Sequence, residues 1–165
     1  MKSIGSSLAF IAAYSLCAAI ASAASQAHAS TDDGSSAANH RGPIFTPSEL
    51  PYPFSSAVQV GDVLYLSGDL GAADDGSSVV PGGIEPETRR MFERIEATLR
   101  AHGLGLESLF KCTVMLADMD DWPAFNAIYA EYFEPGRYPA RSAMGVSGLA
   151  LGASVEMECW ASNPT

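Results

Sequence analysis

The sequence predicts an α+β fold, a two-layer sandwich in which a mixed or antiparallel sheet carries two helices on one face. Three observations lead there. Apolar residues alternate with period two in several short stretches, they recur every three or four residues in two longer ones, and these stretches follow as strand, strand, helix, strand, helix, strand, strand. No internal repeat appears, and the 165 residues, 47% hydrophobic, suffice for one domain with a real core.

The first 29 residues stand apart from that fold. Lys2 precedes an apolar run from Leu8 to Ala24, and Ala21-Ser22-Ala23 and Ala27-His28-Ala29 both offer the small-x-small pattern of a signal-peptidase site. A membrane anchor needs about 20 strongly apolar residues, whereas this run is rich in Ala and Ser. Residues 1–29 therefore read as a signal peptide, and a periplasmic or secreted location follows. Residues 30–43 (STDDGSSAANHRGP) carry nothing to offset the cost of ordering and read as a flexible leader, with the folded domain over 44–165. Removing residues 1–29 from the 165 leaves 136, and the loss of Lys2 takes the net charge from −10 to −11. Such an acidic chain is poorly suited to phosphate backbones, which are bound mainly through Lys and Arg.

The domain's elements can be justified in order. Val58 and Val60, then Val63 to Gly68, read as a hairpin around the Gly61-Asp62 turn. Asp74 to Ser78 is a loop. From Pro86 to His102, Met91, Phe92, Ile95, Leu99 and His102 place one stripe on a helix closed by Gly103. Phe110, Cys112, Val114 and Leu116 alternate as a strand. Asp121 looks like the N-cap of a second helix, with Pro123 in its first turn, a stripe of Phe125, Ile128, Tyr129, Tyr132 and Phe133, and an end at Pro135-Gly136. Strands over Ser142–Val146 and Val155–Ala161 finish the chain.

In the last strand, Val155, Met157, Cys159 and Ala161 share one side and Glu156, Glu158 and Trp160 the other. With helices over the first set, the second set needs water or another subunit, so an uncovered sheet face favours assembly. Cys112 and Cys159 allow one bridge in an oxidising compartment. Their alternating surroundings favour two buried cysteines packing as small hydrophobes, and spacing alone does not choose.

Several segments, in order, carry a resemblance: Pro53-Phe54, Leu66-Ser67-Gly68, Lys111-Cys112-Thr113-Val114, Asp118-Met119-Asp120-Asp121-Trp122, Asn126 and Tyr129, Tyr138-Pro139-Ala140-Arg141-Ser142, and Val155-Glu156-Met157-Glu158. Over Pro51–Ser162 the chain resembles the RidA/YjgF family of reactive-intermediate deaminases. The resemblance implies a chorismate-mutase-like trimeric barrel with clefts between subunits. It also implies hydrolysis of 2-imino acids and enamines such as 2-aminoacrylate to 2-oxo acids and ammonia, with no cofactor.

Within that resemblance, Arg141 would hold the substrate carboxylate, since a guanidinium offers two parallel charge-assisted bonds and stays protonated. Glu156 would orient a water and accept its proton, with Glu158, two residues on, a solvated or interfacial charge. Gly68, Ser67, Phe54 and Asn126 would complete the substrate-binding set. Two departures stand out: Phe54 where tyrosine is common, and Asp69 where glutamine is common, adding negative charge near a site for an anion. Cys112 and Met91 read as core.

Other chemistries lack their parts. Within the domain His102 is the only histidine, no Gly-x-Ser-x-Gly elbow is present, no Cys/His spacing makes a zinc site, and Pro81-Gly82-Gly83 lacks the Lys and Ser/Thr of a phosphate loop. The alternative from another class is a non-catalytic trimer that binds small carboxylates or a partner protein in the same cleft.

Overall fold

The computed structural model describes residues 42–164; the signal peptide expected over 1–29 and nearly all of the leader expected over 30–43 lie outside the described residues. The elements are β1 (Ile44–Pro47), β2 (Ser55–Val60), β3 (Val63–Leu66), β4 (Asp69–Leu70), α1 (Ile84–Ala101), β5 (Leu109–Leu116), α2 (Trp122–Glu131), β6 (Ala140–Gly145) and β7 (Val155–Ser162). One sheet runs β1-β2-β3-β7-β5-β6, with β4 paired to β7. All pairs are antiparallel except β5 with β6, which is parallel, so the sheet is mixed.

Alternation gives the sheet two different faces. Ala57, Leu64, Leu66, Cys112, Val114, Leu116, Val155, Met157, Cys159 and Ala161 are buried, joined in one core with Met91, Phe92, Ile95 and Leu99 of α1 and Phe125 and Tyr129 of α2. Phe92 stacks on Tyr132 with ring centroids 3.9 Å apart, locking α1 to the end of α2. The opposite face carries Tyr65 edge-on to Trp160 (5.0 Å) and Phe110 edge-on to the same indole (6.3 Å). Trp160 is 38% exposed and Phe45 64%, an apolar area with no covering layer among the described residues.

The hairpin closes at Gly61, whose φ of 55° is readily reached by glycine, and Val60 pairs with Val63 across it. Its inward residues are Ala57 and Gln59, while the more apolar Val58 pairs with Tyr65 on the uncovered side. The start of β7 is fixed from behind. The buried Glu87 of α1 accepts bonds from Ser154 N–H (2.7 Å) and Ser154 Oγ (2.9 Å), and the backbone of Gly71 packs directly on it.

Four sequence expectations change. Cys112 and Cys159 form a disulfide instead of packing as separate thiols, because the β5–β7 register sets them directly opposite each other on the buried face. Phe110 leaves the buried set: a register shift between Leu109 and Lys111 turns Leu109 inward and Phe110 out. Asp121 does occupy the N-cap position of α2, but its side chain makes no cap bond; the side-chain cap lies one turn earlier, where Asp118 accepts from Asp120 N–H at 2.9 Å at the start of the 3-10 turn Met119–Asp121. Finally, β1 and β4 are strands that the sequence reading omitted; both are short, and β1 is an edge strand whose residues stay largely exposed.

Candidate active site

Arg141 is the second residue of β6, an edge strand parallel to β5, and its partner in register is Cys112. That register points its side chain to the helix-covered face, where α2 receives it. The guanidinium carbon lies 4.3 Å from the ring centre of Tyr129, 4.7 Å from that of Trp122 and 5.8 Å from that of Phe125. Nη2 donates to Asn126 Oδ1 at 2.6 Å. Trp122, Phe125, Asn126 and Tyr129 fall at i, i+3, i+4 and i+7, so one helical face builds the whole cradle. Among the described residues no carboxylate pairs with Arg141, and its Nη1 is buried without a hydrogen-bond partner. Burial pushes the Tyr129 hydroxyl up, Arg141 pulling it part of the way back, so it stays a neutral donor.

Glu156 belongs to the other face. It is opposite Met115 of β5 and, through β4, opposite Leu70. Its carboxylate rests against the α-carbon of Gly68: a methyl group there would meet Glu156 Cδ at 3.1 Å and Cγ at 3.3 Å. Gly68 is thus glycine because Glu156 occupies its side-chain space. Burial, then the neighbouring charges of Asp69 and Glu158, push the Glu156 carboxyl above the ordinary carboxylate range. A carboxylate so placed can hold a water and accept a proton from it.

The remaining expected residues divide. Asn126 is committed to Arg141 and positions it. Ser67 donates its hydroxyl to the Ser55 carbonyl at 2.6 Å, which occupies its proton in holding the β2–β3 region. Phe54 precedes β2, exposed and stacked on Tyr52 with centroids 6.5 Å apart. Asp69 adds its charge beside Glu156 and is itself tied down. Its carboxylate turns to α1, accepting from Arg94 Nε (2.6 Å) and Leu70 N–H (2.9 Å). The structure brings Gly68 to Glu156 and Asn126 to Arg141, but the sheet separates Arg141 from Glu156. Two surface grooves of about 650 and 630 Å³ flank Arg137 and contain neither group.

The sequence reading missed Trp122 and Tyr129 as partners of the arginine, having assigned Tyr129 to the core stripe and Trp122 no role. It also missed Arg94. The aromatic spacing around Asn126 was the available signal for the first two.

An α+β sandwich of a mixed sheet with two helices on one face defines a protein of the chorismate-mutase-like architecture, here with an arginine cradled by neutral groups at the sheet's edge strand. Comparison with known proteins narrows this. Residues 47–163 match the family described as Endoribonuclease L-PSP. A Mus musculus protein named 2-iminobutanoate/2-iminopropanoate deaminase is 40% identical over 106 residues, 64% of this chain and 78% of its own. The chloroplastic Reactive Intermediate Deaminase A of Arabidopsis thaliana is 37% identical over 107 residues, covering 65% and 57%. Among solved structures, RidA from the Antarctic bacterium Psychrobacter sp. PAMC 21119 superposes with a TM-score of 0.64 at 31% identity, covering 71% of this chain and 93% of that one. Yeast Mmf1 gives 0.67 at 29%, covering 74% and 99%. The chain belongs to the RidA/YjgF/L-PSP family.

Proposed function

We propose that this protein is an exported deaminase that hydrolyses 2-imino acids and their enamine tautomers to 2-oxo acids and ammonia, in clefts between the subunits of a homotrimer. The observation that carries the reading is the state of Arg141. A half-buried guanidinium held by an amide oxygen and three aromatic rings, with no acidic partner among the described residues, retains its charge for an incoming anion. A planar carboxylate is the anion that fits its fork.

Once the carboxylate is held, the imine carbon needs only water. Glu156 orients that water and takes one of its protons as oxygen bonds to the carbon and the C=N electrons move to nitrogen. The proton returns to nitrogen, the C–N bond of the carbinolamine breaks, and ammonia leaves as the carbonyl forms. Imine plus water thus becomes 2-oxo acid plus ammonia, with no change of oxidation state. Because Arg141 and Glu156 occupy opposite faces of one sheet, a site needing both draws them from different copies. The uncovered aromatic face with Trp160, Tyr65 and Phe110 supports that assembly. The names of the deaminase relatives support the chemistry. The buried Cys112–Cys159 bridge supports export, since disulfides persist mainly in oxidising compartments.

The test generates 2-imino acids in situ with an amino-acid oxidase and traps survivors with semicarbazide. The protein should shorten imine lifetime, and Arg141→Ala, which removes two charge-assisted hydrogen bonds, should lower kcat/KM about 100-fold or more. Identical imine decay with and without the protein, across small and branched substrates, would refute the reading.

A further inference from the structure

The Asp69–Arg94 pair lies directly behind Glu156. Asp69 follows Gly68, the residue on which the Glu156 carboxylate rests, and β4 joins β7 at Asp69↔Met157 and Leu70↔Glu156. The pair is largely shielded, with Asp69 18% and Arg94 22% exposed at their side chains. Arg94 projects from the middle of α1, so the bond ties helix to strand across the layer.

We propose that Asp69 and Arg94 are positioning residues for Glu156. They pin β4 to α1 so that Gly68 stays beneath the Glu156 carboxylate, and their two charges set the field in which that carboxylate exchanges a proton with water. The proposal rests on the deaminase reading, in which Glu156 holds the water, but its test does not need turnover.

Few other groups act on this carboxylate. Glu158, on the same strand, adds a like charge. From β5 the residues opposite are Met115 and Thr113, both uncharged, and Lys111 farther along donates to Ser142 Oγ at 3.0 Å. From α1, Arg90 is engaged by Asp74 and Glu93, and Glu87 is bonded to Ser154. Asp69 is therefore the close charge whose balance a single change can tip. Its own carboxyl is pushed up by burial and pulled down by Arg94, and its charge adds to the upward push on Glu156. A group with a raised midpoint is ionised only at higher pH, so activity needing ionised Glu156 has its acid limb above the ordinary carboxylate range.

The experiment follows the Glu156 side-chain carboxyl by carbon-13 NMR as a function of pH in the assembled protein without substrate, using Glu156→Gln to assign the signal. Asp69→Asn leaves the Arg94 charge unbalanced, and the Glu156 midpoint should fall. Arg94→Gln leaves the Asp69 charge unbalanced, and it should rise. The acid limb of kcat should move with each midpoint. Unmoved midpoints in the folded variants, or movement of both in one direction, would overturn the proposal. If Asp69→Asn does not fold, the Arg94→Gln arm decides alone. Failure of the wild type to hydrolyse any imine would instead strike the deaminase reading, with the titration still reporting on the pair.

Discussion

Replacing Gly68 with alanine separates stability from chemistry more cleanly than removing a charged group would. Gly68 is not among the residues with positive φ, so its backbone accepts an L side chain. The added methyl overlaps Glu156 Oε1 outright and meets Cδ at 3.1 Å and Cγ at 3.3 Å, against ordinary carbon contacts of about 3.5–4.0 Å. The carboxylate must therefore retreat by about 1 Å or more, and it can, because it ends a flexible side chain facing the uncovered side. The fold should lose only about 1 kcal/mol, at the low end for overpacking. A water held by that carboxylate moves with it, and a misplacement of about 1 Å can cost about 100-fold in rate. The expected result is a tenfold to hundredfold fall in kcat, on that same positional argument. KM should change little, since Arg141 grips the substrate elsewhere. The oxidase-coupled semicarbazide assay measures the first and urea unfolding the second. An unchanged kcat in a folded Gly68→Ala protein would show that Glu156 does not hold the reacting water.

Two further outcomes follow from the packing. Trp122→Leu removes one ring from beneath the Arg141 guanidinium, a cation–π contact of about 0.5–2 kcal/mol, so KM for imino acids should rise about 2-fold to 30-fold with kcat nearly kept. Trp122→Phe should restore most of the loss, and equal KM values in the three proteins would deny the ring a role in holding the arginine. Replacing both Cys112 and Cys159 with alanine removes a bridge between residues 47 apart, and loop-closure entropy sets the cost at about 4 kcal/mol. Urea unfolding should show the midpoint displaced accordingly; coincident curves would mean that the bridge contributes nothing.

Most of the fold was legible because its signals are local. The β7 alternation separated Met157 and Cys159 from Glu156 and Trp160 correctly, and the α1 stripe of Met91, Phe92, Ile95 and Leu99 is buried as expected. What escaped depends on partners distant in sequence. Phe110 obeys the alternation of its neighbours until a bulge, set by pairing with β7 about 50 residues later, turns it outward. The same pairing decides that Cys112 and Cys159 meet. The partner of Asp69 escaped because nothing local reveals that Arg94, on a helix beginning 15 residues later, faces it. For the site, the motifs gave Arg141 and Glu156 as individuals. Their placement on opposite faces follows from register, since Arg141 aligns with buried Cys112 and Glu156 with outward Met115.

That division of the sheet has a genetic consequence. Under the proposed reading, an Arg141→Ala allele and a Glu156→Gln allele each encode a protein broken in a different half of the reaction. Co-expressed in one cell, they would form mixed assemblies in which some clefts inherit both intact halves, and two null alleles would rescue each other. Paired on a single polypeptide, the same two lesions would leave every cleft shared with a wild-type subunit one residue short, so only clefts between two wild-type subunits would work and dominance would depend on dosage.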